Sequence, residues 1–338
     1  MPKALITGVT GMVGSHLLDH LIENTDWEIA GTIRWRSSKS NIQHHFNRSY
    51  FNSRIKLIEA DLLDYQSLVN AVEKSQPNFV FHLAAQSFPT TSFSIPIQTL
   101  DVNILGTARL LEAIKFAATS DPWIHICSSS EVFGRVNKEE LPINEDNKFH
   151  PASPYSISKI GSDYLSVFYA SAYNLKTIST RMFTHTGPRR GEFFAESSFA
   201  KQIALIELGI IEPKIHVGNL DSLRTWSDVR DAVRAYHMLL TNNPTAGEVY
   251  NIGGTFVCSI GEMLNHLISI STFKGKIKIF KDDNLIRPLD ADLQIPNTTK
   301  FSNHTGWSTT ISFEKTMFDL LEFWREKVRL ENYIPYWS

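Results

Sequence analysis

Thr7-Gly8-Val9-Thr10-Gly11-Met12-Val13-Gly14 follows the apolar run Ala4-Leu5-Ile6 and opens a segment in which Val13, Leu17, Leu21 and Ile22 share one helical face. A turn between a buried strand and a helix is where a dinucleotide fold needs glycines. Gly8 permits the tight turn, Gly11 lets the backbone approach a pyrophosphate, and Gly14 lets the helix pack closely on the sheet. Thr10, Met12 and Val13 complete the same cofactor-binding turn. The spacing is GxxGxxG, not GxGxxG, so the surrounding pattern has to support the reading.

Outward from this turn, short runs rich in β-branched residues alternate with helical segments. The runs are Ala4 to Thr7, Glu28 to Ile33, Ile55 to Ala60, Asn78 to Leu83, Trp123 to Ser128 and Lys176 to Met182. Leu68, Val69 and Val72, and then Ile104, Leu110, Leu111 and Ile114, form helical faces between them. This rhythm predicts an α/β fold, a Rossmann-type doubly wound parallel sheet. After Arg181 it loosens around Gly187, Pro188, Gly191, Pro213, Gly218, Pro288 and Pro296, which predicts a smaller C-terminal substrate-binding lobe. A helix over Ser227 to Leu240 and a strand over Glu248 to Gly253 still look like sheet-domain material, so the lobes are expected to interleave. Residues 1–180 then form the dinucleotide domain, with returning segments at about 225–255, and 181–338 mainly the second lobe. The last expected helix, Phe313 to Val328, buries Met317, Leu320, Leu321 and Trp324.

Composition narrows the partners. With 33 basic against 35 acidic residues, the chain lacks the charge excess of a nucleic-acid or membrane-surface binder, and a small molecule is the expected partner. Cys127 and Cys258 lie far apart, as reduced cytoplasmic thiols do. The start Met1-Pro2-Lys3 before an apolar run mimics a secretory signal, but Gly8, Gly11 and Gly14 interrupt it. No window approaches the ~20 apolar residues of a membrane span. A soluble, cytoplasmic protein is expected.

A protein preferring NAD places an acidic residue at the end of the second strand to hold the ribose hydroxyl. Arg34, Trp35 and Arg36 stand there instead, and guanidinium groups suit a 2'-phosphate, which predicts NADP. Asp61 is placed either to accept hydrogen bonds near the adenine or to cap a helix. His16 and His20 have the spacing of one helical turn, but no third ligand accompanies them, so no metal site is expected and the pair reads as helix surface.

Tyr155 and Lys159 also lie one helical turn apart, behind Pro154 as a helix start. An ammonium near the phenol would lower its pKa toward working pH, as proton transfer requires. Cys127-Ser128-Ser129-Ser130-Glu131 ends the fifth run, at the carboxyl edge where open α/β sheets bind ligands. Ser129 offers a hydroxyl to a reacting oxygen. Glu131 adds a carboxyl that simple alcohol oxidation does not need and that can carry a proton between neighbouring atoms.

With these motifs in place the chain resembles the GDP-mannose 4,6-dehydratase family of extended short-chain dehydrogenases, and within it the subgroup acting on GDP-manno-heptose. The likeness rests on Thr7 to Gly14, Ala84-Ala85-Gln86-Ser87, Asp101-Val102-Asn103 through Ile114, Ser129 to Gly134, Ser153 to Lys159, Pro188-Arg189-Arg190-Gly191, and Val217-Gly218-Asn219-Leu220 through Arg224 to Asp231. The resemblance implies Ser129, Glu131, Tyr155 and Lys159 as the catalytic group. It implies Asp61, Leu62, Leu83, Ala84, Ala85, Gln86, Ser87, His185 and Arg190 around NADP, with Ser87, Ser129 and Glu131 also touching substrate. Asn219, Arg224 and Arg287 would hold the diphosphate end of a GDP-linked sugar, although residue chemistry alone reads both arginines as solvated or in structural ion pairs. Two departures from the family pattern are Ser129 in place of threonine and Thr184 in place of asparagine. The activity implied is dehydration to a 4-keto-6-deoxy sugar with NADP recycled in each turnover. An NADPH-dependent 4-keto-sugar reductase is the alternative, because such reductases share the serine and glutamate. Assembly as a homo-oligomer, a dimer or tetramer, is also implied.

Overall fold

In the computed structural model, which describes residues 1–330, the apolar runs of the first half form β1 (Lys3–Thr7), β2 (Glu28–Ile33), β3 (Ile55–Glu59), β4 (Phe79–His82), β5 (Trp123–Cys127) and β6 (Lys176–Met182). Shorter strands follow: β7 (His185–Thr186), β8 (Lys214–Val217), β9 (Leu223–Asp228), β10 (Val249–Ile252), β11 (Phe256–Ser259), β12 (Lys278–Lys281) and β13 (Leu293–Gln294). The helices through the first half are α1 (Met12–Asn24), α2 (Phe51–Arg54), α3 (Tyr65–Ser75), α4 (Pro89–Ser94), α5 (Pro96–Leu100), α6 (Gly106–Ala117) and α7 (Pro154–Tyr173). Then come α8 (Ala195–Glu207), α9 (Val229–Thr241), α10 (Ile260–Ser269), α11 (Thr299–Thr305) and α12 (Phe313–Leu330). Residues 331–338, the end of the expected second lobe, lie outside the described residues.

Seven parallel strands make the main sheet in the order β10-β6-β5-β4-β1-β2-β3. The period of two in β1 shows how it is sealed. Ala4 and Ile6 join the layer under α1 and α9 with Leu17, Leu21 and Tyr236, while Leu5 joins the layer under α3 and α6 with Leu68, Val72 and Leu110. Burial of each such Leu or Ile is worth about 1.5–3 kcal/mol. The strand order reverses at β1 and β4, so the crevice beyond their carboxyl ends is the ligand-binding position of this architecture.

The expected helix from Ser227 starts two residues later. Asp228 ends β9 and caps α9 by accepting a hydrogen bond from Arg230 N at 2.8 Å, while Ser227 N bonds Thr184 O and ties β9 to β7. Around β9 the second lobe assembles β7, β11 and β13, and β8 pairs with β12. Phe199, Ile203, Met263, Leu267, Met317, Leu320 and Trp324 pack between α8, α10 and α12 into its core. No helix among the described residues is long and apolar enough to cross a membrane.

His16 is not on the helix surface. It is buried, with Nε2 donating to Pro188 O at 3.1 Å, whereas His20 meets Nδ1 of His237. Asp19, between them in sequence, gathers Nε2 of His44 (2.9 Å) and of His45 (2.7 Å) and pairs with Arg189. Burial holds His16 at about 4 and the sheet-buried His82 and His125 at about 3, all down from 6.5. Above pH 6.5 folded and unfolded chains both carry these rings neutral. As pH falls, the unfolded chain binds protons that the folded chain refuses, so stability should drop by about 1.4 kcal/mol per pH unit for each histidine until the folded value is reached. Chemical denaturation between neutral pH and pH 4 checks this, and His82→Gln should flatten the slope.

Candidate active site

The hydrogen bonds of His82 fix the crevice wall. Thr7 Oγ1 accepts from Leu83 N and Ala84 N, both at 3.1 Å, so its own proton goes to His82 Nδ1 at 2.8 Å. His82 Nε2 then donates to Thr107 Oγ1 at 3.0 Å, and Thr107 donates to Asn103 O at 2.6 Å. A neutral imidazole of one tautomer thereby pins the chain after β4 against the glycine turn. Gly8, at φ +73°, faces the Ala84 backbone, and a side chain on Gly14 would enter hard contact with Gly8 O. Gly11 caps α1 with no side-chain partner, leaving the backbone N–H groups of the first turn for an anion.

A cavity of about 610 Å³ runs along this crevice into the second lobe. Gly8, Gly11, Met12, Val13, Gly14, Leu83, Ala85, Ser87, His185 and Arg190 line it, as do Ser129, Glu131, Tyr155, Lys159, Asn219, Arg224 and Arg287. Other expected cofactor residues stand behind or beside it. Ala84 backs Gly8, Gln86 is held by Asn103, and Thr10 O accepts from Asn41 Nδ2 at 3.0 Å. Leu62 is buried against Gly106. Asp61 does not cap a helix: it accepts from Leu63 N, and the cap of α3 is Asp64. Arg34 and Arg36 are exposed just past β2, with Arg36 stacked on Trp35.

Ser153 caps α7 by accepting from Ser156 N, and Pro154 starts the helix, so Tyr155 and Lys159 face β5 and the turn after it. Ser129 accepts from Glu131 N at 3.2 Å, which shapes the short turn Ser130–Val132. The relation between phenol and ammonium differs from the sequence expectation. Lys159 Nζ donates to Cys127 O at 2.8 Å and stands 5.9 Å from the Tyr155 ring centre. Burial pushes the Tyr155 phenol well above its ordinary value, and Cys127 and Glu131 push the same way. The hydrogen-bonded Ser129 and the charge of Arg190 pull it back only in part. Burial also lowers Lys159. His185, beside Arg190, is lowered to about 4, first by burial, and is neutral.

At the far end Arg224 and Arg287 approach one carboxylate, Asp290, at 3.5 and 3.3 Å. Asp292 stands beside them, 3.1 Å from the Ser222 hydroxyl, so two carboxylates accompany the two guanidinium groups. Asn219 is held by Ser222 and by Asp221 N. Arg190 pairs with buried Glu196 at 3.0 Å and lies 3.4 Å over the Phe194 ring. Thr184 also lines the cavity, and its carbonyl accepts from Ser227. Sequence reading passed over Asn41, Phe88, Phe193, Phe194 and Glu196, which line the cavity too. The adjacent aromatics 193 and 194 after Gly191 were the available signal for the second lobe's share.

The family model described as GDP-mannose 4,6 dehydratase matches residues 5–320. The chain is 30% identical over 350 residues to a GDP-mannose 4,6-dehydratase of Yersinia enterocolitica, covering 95% of this chain and 93% of that protein. It is 29% identical over 330 residues to a GDP-6-deoxy-D-mannose reductase of Pseudomonas aeruginosa, covering 97% and 99%. Among solved structures it is similar to the RMD protein of Pseudomonas aeruginosa complexed with NADPH, at 28% identity and TM-score 0.80, over 96% of this chain and 100% of that one. The architecture is that of the extended short-chain dehydrogenases.

Proposed function

The chain belongs to the GDP-mannose 4,6-dehydratase family, and from that membership we propose that it converts a GDP-mannose-type sugar, GDP-manno-heptose or GDP-mannose, to the 4-keto-6-deoxy derivative. One observation carries the reading: Ser129, Glu131, Tyr155 and Lys159 line a single cavity with the glycine turn at one end and two arginines at the other. Alcohol oxidation uses the phenol, the hydroxyl and the ammonium. The carboxyl of Glu131 adds the base that dehydration requires, and 4-keto-sugar reductases carry it too.

Tyr155 takes the proton of the sugar C4 hydroxyl, and Ser129 hydrogen-bonds the same oxygen as it becomes a carbonyl. The new carbonyl makes the C5 hydrogen acidic. Glu131 removes it and delivers a proton to the C6 hydroxyl, which leaves as water; as C6 is then reduced, the proton that Tyr155 took from the C4 hydroxyl goes to C5, which restores the phenolate. NADP, which Gly8, Gly11 and Gly14 would hold at the start of α1, would supply the hydride chemistry at C4 and C6 with no external reductant consumed. Lys159 orients the ribose and the phenol. Arg224, Arg287 and Asn219 bind the diphosphate far from the reacting carbons and hold them in place.

The uncapped start of α1 fits a pyrophosphate, and the exposed Arg34 and Arg36 favour a 2'-phosphate, which supports NADP. Replacing both arginines by alanine should cost about tenfold in NADP affinity and leave NAD affinity unchanged, measured by fluorescence titration. Stand-alone reduction of a 4-keto sugar with NADPH is the second reading, favoured by the likeness to the Pseudomonas reductase. Mass spectrometry of the product from each GDP-sugar, without added reduced cofactor, tests the assignment: loss of one water supports dehydration, and turnover only of a keto-sugar with NADPH supports reduction. Ile97, Leu105, Phe116, Tyr164 and Phe168 are exposed on the packed elements around α6 and α7, which supports assembly as a homo-oligomer.

A further inference from the structure

Phe193 is 71% exposed at the cavity mouth, where a large apolar side chain gains nothing from folding alone. Its ring lies 5.7 Å from that of Phe88, which comes from the other side of the crevice, after β4. Phe88 also meets Phe194 edge-on at 5.3 Å.

The Phe88 backbone is held on both sides. Gln86 Oε1 accepts from Phe88 N at 2.7 Å and Gln86 Nε2 donates to Phe88 O at 3.1 Å, while Asn103 grips the Gln86 backbone at both N and O. Immediately beyond, Ser92 Oγ donates to Pro89 O and accepts from Tyr155 N at 3.1 Å. The aromatic wall is therefore registered to the backbone of the residue that takes the proton. Phe193 has no such anchoring among the described residues and faces it from the segment between β7 and α8.

We infer that Phe88 and Phe193 form an aromatic subsite that takes the C–H face of the sugar ring and turns its hydroxyl edge toward Ser129, Glu131 and Tyr155. This rests on the GDP-sugar reading above and deepens it. A pyranose presents an apolar face of C–H groups and a polar rim. The fixed ring of Phe88 orients the first at little entropic cost, with Phe193 beside it adding apolar area, and the hydroxyl and carboxyl of Ser129 and Glu131 recognise the second. The diphosphate is recognised at the other end by Arg224 and Arg287, so the two contributions are separable.

The test is equilibrium titration of the Tyr155→Phe chain, chosen to block turnover, with GDP and with GDP-mannose, alone and combined with Phe193→Ala or Phe193→Tyr. Because the Phe193 side chain is exposed, its removal should leave the fold unchanged by circular dichroism. Phe193→Ala should weaken GDP-mannose about tenfold, leave GDP within about twofold, and be rescued by Phe193→Tyr. Equal loss for both ligands, no loss for GDP-mannose, or a tyrosine variant as weak as alanine overturns the aromatic subsite. Failure of the Tyr155→Phe chain to bind either ligand overturns instead the GDP-sugar reading beneath it.

Discussion

Tyr155→Phe is expected to lower kcat about 10³-fold, within the range by which positioned proton transfer accelerates reactions, while cofactor affinity stays within about twofold. The ring stays in its buried place, with the backbone N–H on Ser92, so the fold survives and only the hydroxyl next to Ser129 is lost. The pH profile should change with it. Burial holds the phenol well above its ordinary value, so the phenolate fraction, and with it kcat/KM, should rise about tenfold per pH unit through neutral pH in the unaltered chain. The phenylalanine variant should lose that slope. A variant retaining more than about a tenth of the rate, with the slope intact, would remove Tyr155 from the proton transfer.

Glu131→Gln separates dehydration from oxidation. Glutamine keeps the size and polarity of the side chain beside Ser129 but cannot accept the C5 proton. Dehydration should fall about 10²- to 10⁴-fold, the contribution of a general base. Removal of hydride from C4 does not need that carboxyl. The variant should therefore accumulate reduced cofactor, seen by its near-ultraviolet absorbance, together with a 4-keto sugar that has kept its C6 hydroxyl. Unchanged formation of the 6-deoxy product would assign the elimination to another group. Loss of C4 oxidation as well would mean that Glu131 acts in the first step.

The main sheet was legible because its central strands are buried on both faces, and β1, β2, β4, β5 and β6 are short runs rich in apolar or β-branched residues, bounded within a residue or so of the expected positions. The second lobe offers no such signal. Lys278–Lys281 forms a wholly exposed edge strand against β8, and Ser227 and Asp228, the first two residues of the expected helix, end β9. The catalytic candidates lie in short local motifs, Ser129 with Glu131 at a strand end and Tyr155 with Lys159 one helical turn apart, so local position and family likeness together brought them forward. What spacing could not convey is direction. Lys159 points to the carbonyl of Cys127, and Asp64, not Asp61, takes the cap. His16 turns inward to Pro188, a residue distant in sequence. Phe88 and Phe193 meet only because two loops of different lobes converge, and no period in the chain links them.

The proposed reaction requires that one cavity oxidise C4, eliminate across C5 and C6, and reduce C6 without releasing its hydride. GDP-mannose carrying deuterium at C4, incubated with the enzyme and NADP amid excess unlabelled NADPH, tests it directly. A 4-keto-6-deoxy product with the deuterium at C6 and no dilution by the free pool is expected. Deuterium appearing instead in free cofactor, or a product whose C6 hydrogen comes from the added NADPH, would contradict it.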